Sequence, residues 1–353
     1  MKTIILTGAC GFIGSHFVEF FLKETDFNIV VLDKLSYASQ GFDRLRDIDC
    51  FDETRVKIFA VDLQEPLSFG VKQEIGEVDY IINLASESHV DNSISNPTEF
   101  IMNNVKLVLN MLEWAKELKS LQKFVQFSTD EVYGPAPDEI LYEEGDRFNP
   151  SNPYSASKAA QECICMSYAN TYKLPIVITN TMNVIGERQH SEKFVPLCIK
   201  KILTGETIQI HANKDKTKAG TRFYIHARNV AKAVYFILTE TSETLNTHNV
   251  NSGKFHIVGE KELDNLELAK MIANYVLNEV VKQPELEKVF ANQNFKYELT
   301  DFHSSRPGHD LRYGMSGSKL RAQGFEFPKT LEDSLKKTVE WYLIIRNRKW
   351  LER

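Results

Sequence analysis

Three observations predict an α/β fold in which a doubly wound parallel sheet is followed by a smaller lobe. Short β-branched runs alternate with stretches of helical spacing over the first half of the chain. A glycine-rich turn lies between the first such run and the first helix. Beyond Met182 the alternation loosens and loops lengthen. Strands that alternate with helices favour a parallel sheet, because each return to the sheet needs a crossover that a helix supplies. The expected division is 1–181 for the sheet domain and 182–353 for the lobe, with the chain free to cross between them.

Thr3-Ile4-Ile5-Leu6-Thr7 is an aliphatic and β-branched run closed by glycine, the pattern of a buried strand. Gly8-Ala9-Cys10-Gly11-Phe12-Ile13-Gly14 follows, and residues 15–22 then have helical spacing. Glycines at this place let the turn tighten and let backbone N–H groups approach a pyrophosphate at the helix N-terminus. A second strand, 28–32, ends in Asp33, nineteen residues beyond Gly14. A carboxylate there accepts from both ribose hydroxyls of an adenosine and repels a 2′-phosphate, which predicts NAD over NADP. Lys34, beside it, is a charge of the opposite preference.

Runs at 56–61 and 78–85 continue the alternation, ending in Asp62-Leu63 and in Ser86-Glu87-Ser88-His89. A helix is predicted over 97–118. The apolar residues Phe124, Val125 and Phe127 then lead straight into Ser128-Thr129-Asp130-Glu131-Val132-Tyr133-Gly134. Titratable groups at the carboxyl end of a buried strand stand where open α/β sheets bind ligands. After a polar stretch to Pro150, Ser151-Asn152 precedes Pro153, which suits the first turn of a helix behind a polar cap. Tyr154 and Lys158 are then four residues apart on one helical face. An ammonium near a phenol favours the phenolate, so the pair predicts a tyrosine pKa lowered from ~10 by ~1–3 units, toward what a general base needs.

Residues 175–180 form a further strand, and helices are expected at 195–204, 227–238, 264–278 and 330–346. Segments 213–220, with Lys214, Lys216 and Lys218, and 279–293 carry no assignable pattern. No repeat, low-complexity stretch or linker separates the two lobes.

A formal net charge of -6 excludes a general nucleic-acid binder while leaving room for a local phosphate site. No apolar run reaches the length of a membrane span, and the N-terminus is too soon punctuated by glycine for a signal peptide. The five cysteines are odd in number and lack metal-ligand spacing, so reduced thiols in a cytoplasmic setting are expected and no metal site is.

Taken together, Thr7-Gly8-x-x-Gly11-Phe12-Ile13-Gly14, Thr129-Asp130-Glu131-Val132-Tyr133-Gly134 and Tyr154-x-x-x-Lys158 resemble the extended short-chain dehydrogenase/reductases of Rossmann type. Within them the chain is most similar to the nucleoside-diphosphoglucose 4,6-dehydratases that act on dTDP-glucose or UDP-glucose. The resemblance runs nearly end to end, through Asn183-Val184-x-Gly186, Glu192-Lys193, Arg222 and Ser305-Arg306-Pro307-Gly308-His309-Asp310.

That resemblance implies a homodimeric lyase with tightly bound NAD, which serves the formation of a deoxysugar such as rhamnose. It implies that Tyr154 takes the proton of the glucose C4 hydroxyl while C4 gives hydride to NAD, with Thr129 bonded to the same oxygen. Glu131 then removes the C5 hydrogen, Asp130 protonates the departing C6 hydroxyl, and hydride returns to C6. Two carboxylates side by side push their pKa values apart, so one holds a proton while the other accepts one. Around NAD the resemblance places Gly8, Gly11, Phe12, Ile13, Gly14, Asp33, Lys34, Asp62, Leu63, Leu84, Ala85, Ser86, Asn103, Tyr154, Lys158 and Val184. Near the sugar, diphosphate and nucleoside it places Ser88, His89, Thr129, Asn183, Lys193, Arg222, Arg306 and His309. Cys10, Phe223 and Lys261 depart from the family pattern; Cys10 changes packing in the glycine turn more than activity, and Phe223 and Lys261 leave the choice between dTDP and UDP open. Two other readings are a 4-epimerase, which needs only the Tyr154/Lys158 chemistry, and a non-catalytic subunit that binds NAD or a nucleotide sugar.

Overall fold

The structure, a computed structural model, describes residues 1–51, 53–246, 248–249, 251–283, 295–301 and 310–352. The chain divides into two units. Unit 1 comprises Met1–Thr181, Val230–Ile257 and Met315–Glu326; unit 2 comprises Met182–Asn229, Val258–Gly314 and Phe327–Arg353.

Unit 1 is built on strands β1 (Thr3–Thr7), β2 (Asn28–Asp33), β3 (Val56–Ala60), β4 (Tyr80–Asn83), β5 (Lys123–Thr129) and β6 (Ile176–Thr181). With β10 (Lys254–Ile257) they form one seven-stranded sheet in the order β10-β6-β5-β4-β1-β2-β3. Every pairing is parallel. A parallel sheet covered on both faces needs strands that are apolar throughout, and Ile4, Ile5, Leu6, Ile81, Ile82, Phe124 and Val125 are fully buried. After β3 the chain crosses back over β1 to start β4, so the sheet reverses direction between β1 and β4. That reversal is where ligands bind in such sheets.

The helices of this unit include α1 (Phe12–Glu24), α4 (Val90–Ser95), α5 (Pro97–Ala115) and α6 (Pro153–Tyr172). Pro97 and Pro153 each stand in the first turn of their helix, where the missing N–H costs nothing. α5 ends three residues before the expected Leu118. α8 (Ala227–Glu240) has the carbonyls of Ile237 and Leu238 near its end capped by the buried Lys123 Nζ, at 2.6 and 3.2 Å.

Strand β10 has no counterpart in the sequence-based expectation. Lys254 and His256 alternate with Phe255 and Ile257, which disguises a strand buried on both faces. Lys254 is accommodated there by Glu162 of α6, whose carboxylate lies 2.9 Å from its ammonium. Lone buried charges are expensive, and this pairing lets a lysine sit inside the sheet.

Unit 2 holds β7 (Asn183–Ile185), β9 (Thr221–His226) and β11 (Glu262–Asp264) in one small sheet, and β8 (Thr207–Ala212) with β12 (Lys296–Asp301) in another. α7 (Phe194–Thr204), α9 (Asn265–Lys282) and α11 (Leu331–Leu343) pack around them, burying Ile199, Ile272 and Leu335. Segment 213–220 is a reverse turn after β8. Asn213 Oδ1 accepts from the backbone N–H of Thr217 and Lys218, at 2.8 and 3.0 Å, and so replaces a strand's hydrogen bonds locally. Of 279–293, α9 takes the part up to Lys282, and 284–293 lies outside the described residues. Among the described residues no helix is long and apolar enough to cross a membrane, and all five cysteines are free.

Candidate active site

The turn after β1 is shaped by close approach. Gly8 has φ +66°, and a Cβ there would lie 2.8 Å from Ala85 Cα at the exit of β4. A Cβ on Gly14 would lie 2.5 Å from both Ala9 Cα and the Gly8 carbonyl, so α1 can sit this close to the turn only with glycine. Gly11 is the N-cap of α1 and offers no side-chain cap, which leaves the N–H groups around Phe12 and Ile13 to an outside anion. Thr7 Oγ1 donates to Asn83 Oδ1 at 2.8 Å and accepts from Ala85 N at 3.0 Å, tying the turn to β4.

At the end of β2, Asp33 accepts from Cys10 N (2.9 Å) and Leu35 N (2.8 Å). Burial pushes its carboxyl above the usual range, and the two amide donors work against that. Lys34 is exposed, but its ammonium is engaged by Glu87 at 2.8 Å and by Asn103 at 3.0 Å. These partners engage the ammonium in place, which weakens its hold on a 2′-phosphate. Leu84, Ala85 and Ser86 line the exit of β4 half-buried, and Leu63 is buried beyond β3. Asp62 is exposed and accepts from Gln64 N at 2.9 Å. A dinucleotide fits this set: a helix N-terminus without a side-chain cap, a turn with no room for a side chain at Gly8 or Gly14, and a carboxylate at the end of β2.

The second cluster stands at the end of β5. A short 3-10 turn, Asp130–Tyr133, follows it, with Thr129 as its cap. Thr129 Oγ1 donates to Asp130 Oδ1 at 2.8 Å and accepts from Glu131 N at 3.3 Å. Tyr154, in the first turn of α6, shares a hydrogen bond with Thr129 and feels the charge of both carboxylates. Its backbone N–H donates to Ser93 Oγ of α4 at 3.2 Å, and its ring meets Phe100 of α5 edge to face. The three motif residues and the tyrosine are therefore brought together.

The expected influence of Lys158 on Tyr154 is not what the structure shows. Burial pushes the phenol well above its ordinary pKa, Glu131 and Asp130 push it further, and only the Thr129 hydrogen bond works the other way. The reason is geometric. The Lys158 ammonium donates to the Phe127 carbonyl at 2.6 Å and to Gln161 Oε1 at 2.7 Å. Burial lowers its own pKa to about 8, against the pull of Glu162 and Cys165. Sharing a helical face is necessary for the pair to interact, and here the strand's carbonyl takes the ammonium first.

Behind these residues runs a chain of buried amides that spacing alone does not reveal. Asn83 Nδ2 donates to Gln126 Oε1 (2.8 Å), Gln126 Nε2 to Gln161 Oε1 (3.1 Å), and Gln161 Nε2 to the Asn104 carbonyl (2.7 Å). Together with Thr7 it links the glycine turn to Lys158 across the sheet. Glu162 accepts from Ser128 Oγ at 2.5 Å and from Asn180 Nδ2 at 2.7 Å, bracing the ends of β5 and β6. Asn152, also unforeseen as a site residue, donates through Nδ2 to Glu131 Oε2 at 3.2 Å. The only signal for the amides was their residue type, which is common in loops and caps.

Ser88 is exposed, and His89 is the N-cap of α4. In unit 2, Asn183 and Val184 lie on β7 and Lys193 caps α7. Arg222 on β9 donates to the carbonyls of Thr221 (2.6 Å), Asp310 (2.6 Å) and Leu311 (2.8 Å), with its guanidinium 4.5 Å from the centre of the Tyr313 ring. Arg306 and His309 lie outside the described residues. Of the departures from the family pattern, Cys10 is buried inside the glycine turn, Phe223 is buried on β9, and Lys261 pairs with Glu332.

A glycine cradle at the switch point of a parallel sheet, with a Tyr/Lys helix beside it, defines a nucleotide-dependent oxidoreductase scaffold. The family model of GDP-mannose 4,6 dehydratase matches residues 5–338. The dTDP-glucose 4,6-dehydratase of Escherichia coli is 32% identical over 368 residues, covering 99% of this chain and 95% of that protein. The crystal structure of dTDP-glucose 4,6-dehydratase from Streptomyces venezuelae with NAD bound superposes with a TM-score of 0.78 at 30% identity, covering 100% of this chain and 99% of that one. The UDP-glucose 4-epimerase of Thermus thermophilus, also in complex with NAD, reaches 0.78 at 25% identity over 96% of this chain and 98% of that one. The chain belongs to the nucleoside-diphosphoglucose 4,6-dehydratase family of the extended short-chain dehydrogenase/reductases.

Proposed function

We propose that this protein is a hydro-lyase that converts a nucleoside-diphosphoglucose, dTDP- or UDP-linked, into the 4-keto-6-deoxyglucose nucleotide. The observation that carries the reading is the Thr129-Asp130-Glu131 turn gathered around the Tyr154 phenol. The glycine turn, Asp33, Ala85 and Asn103 would hold NAD, which would supply the hydride acceptor and donor that the reaction needs.

The residues divide the proton transfers. Tyr154 accepts the proton of the C4 hydroxyl, and Thr129 bonds the same oxygen. The new ketone acidifies C5–H; Glu131 takes that proton, and Asp130 gives one to the leaving C6 hydroxyl. Asp130 in its acid form also withdraws one of the two charges that hold the Tyr154 pKa up. One protonation state therefore serves both steps. Lys158 holds the nicotinamide ribose once it leaves or shares the Phe127 carbonyl. Arg222 anchors segment 310–311, the continuation of the Arg306–His309 string proposed for the diphosphate.

Incubating the NAD-loaded protein with dTDP-glucose and with UDP-glucose, without added reductant, yields a 4-keto-6-deoxy sugar from at least one, and the faster substrate names the base. No such product from either overturns the reading. The 4-epimerase reading, favoured by the shared scaffold, predicts instead that Glu131→Gln leaves turnover intact. We further propose a homodimer through α5 and α6, supported by the exposed Met102 and Tyr172; a monomer mass by light scattering contradicts it. The free cysteines support a reducing, cytoplasmic setting.

A further inference from the structure

We infer that Asn152 is a positioning residue for Glu131, coupling the base of the elimination to the helix that carries Tyr154. The inference rests on the dehydratase reading of Glu131.

Asn152 is buried and is the N-cap of α6. Its Oδ1 accepts from Ser155 N at 2.8 Å, and its own N–H donates to Ser155 Oγ at 3.1 Å, closing a capping box. Capping alone does not call for asparagine, since serine, threonine and aspartate cap as well. What only the amide adds is a donor on the second atom, and Nδ2 spends it on Glu131 Oε2 at 3.2 Å.

The surrounding chain is built to deliver that contact. Gly134 ends the 3-10 turn with φ +73°, and a Cβ there would lie 2.1 Å from the Asn149 carbonyl. Asn149 N in turn donates to the Val132 carbonyl at 2.9 Å. The segment that returns toward α6 is thus bound to the turn that holds Glu131, and it brings Asn152 to that carboxylate. Tyr154 follows two residues later, on the first turn of the helix that Asn152 caps. A donor to a carboxylate stabilises its charged form, so Asn152 both orients Glu131 and keeps it ready to accept the C5 proton.

The test separates the cap from the donor. Asn152→Asp keeps a capping oxygen and replaces the donor by a second negative charge. A like charge raises the pKa of the base, and nearby charges commonly shift a pKa by ~1–3 units. The acid limb of the kcat profile then moves to higher pH by about one unit or more, and by linkage the melting temperature at neutral pH falls modestly while the fold is kept. Deuterium wash-in at C5 slows, whereas the transient absorbance of reduced cofactor from C4 oxidation persists. Asn152→Ser, which caps without reaching Glu131, slows C5 exchange in the same direction with a smaller pH shift, and it decides the matter if the aspartate variant does not fold. A pH profile and exchange rate equal to wild type in either variant, with the fold kept, overturn the inference. Glu131→Gln keeps the two questions apart. If that variant retains C5 exchange, the assignment of the base fails. If it loses exchange, Asn152→Asp in the Glu131→Gln background adds no further loss when the two act as one unit.

Discussion

Two strands of the same sheet end in carboxylates, and they are held in different ways. Asp33, at the end of β2, is fixed by backbone N–H groups of Cys10 and Leu35. Asp130 and Glu131, at the end of β5, are held by side chains, the Thr129 hydroxyl and the Asn152 amide. Backbone donors cannot be rearranged without moving the turn, which suits a group that only binds. Side-chain donors can shift as a proton comes and goes, which suits groups that gain and lose charge during turnover. On the proposed function, the contrast predicts that Asp33 acts on affinity and the β5 pair on rate.

The largest expected effect breaks the β5 end. Glu131→Gln removes a general base and lowers kcat by roughly 10²–10⁴-fold, while a single turnover still shows transient reduced cofactor. Loss of that transient would place Glu131 in C4 oxidation instead.

The matching change at β2 acts on binding. Asp33→Ala removes hydrogen bonds to a charged acceptor worth about 1.5–3 kcal/mol each, so retained NAD weakens by roughly tenfold or more. Cofactor content of the purified protein and titration with NAD measure it. An effect confined to kcat would erase the distinction drawn above.

Gly14→Ala sharpens what the backbone contributes. The added Cβ meets backbone atoms at 2.5 Å, and overpacking of this kind costs about 1–3 kcal/mol. Thermal unfolding shows a lowered Tm together with reduced NAD retention.

The smallest effect at neutral pH concerns the wall behind the β5 turn. His256 lies between Tyr133 Oη (2.7 Å) and the Ser316 carbonyl (3.1 Å), and burial lowers its pKa to about 3 from 6.5. Between those values the unfolded chain binds a proton that the native state refuses. The stability His256 contributes is thus complete above pH 6.5 and is lost as pH falls toward 3. His256→Gln flattens this part of the curve of Tm against pH and changes little at pH 7; an unchanged acid slope would show that other groups set it.

Much of the β1-to-β6 alternation was legible because most of these strands carry an apolar or β-branched run that a parallel sheet buries. The Tyr154/Lys158 spacing was legible for a similar reason, since it obeys a helical period. Lys254 and Asn152 were not legible. A lysine inside a strand reads as a break until Glu162, far away in sequence, is seen to pair with it. An asparagine before Pro153 reads as a cap until Glu131 is found on its other side.

By itself the sequence determined the parallel sheet, the glycine turn with Asp33, and the set of groups able to move protons. Those follow from local periods and from residue chemistry, which need no knowledge of distant contacts. Only the tertiary structure decided where the Lys158 ammonium points, which way the Tyr154 pKa moves, and which amide steadies Glu131. Those depend on which of several donors and acceptors, remote in the chain, arrive first at one buried place. Burial raises the stakes of each such choice, because a charge removed from water responds to every neighbour it meets.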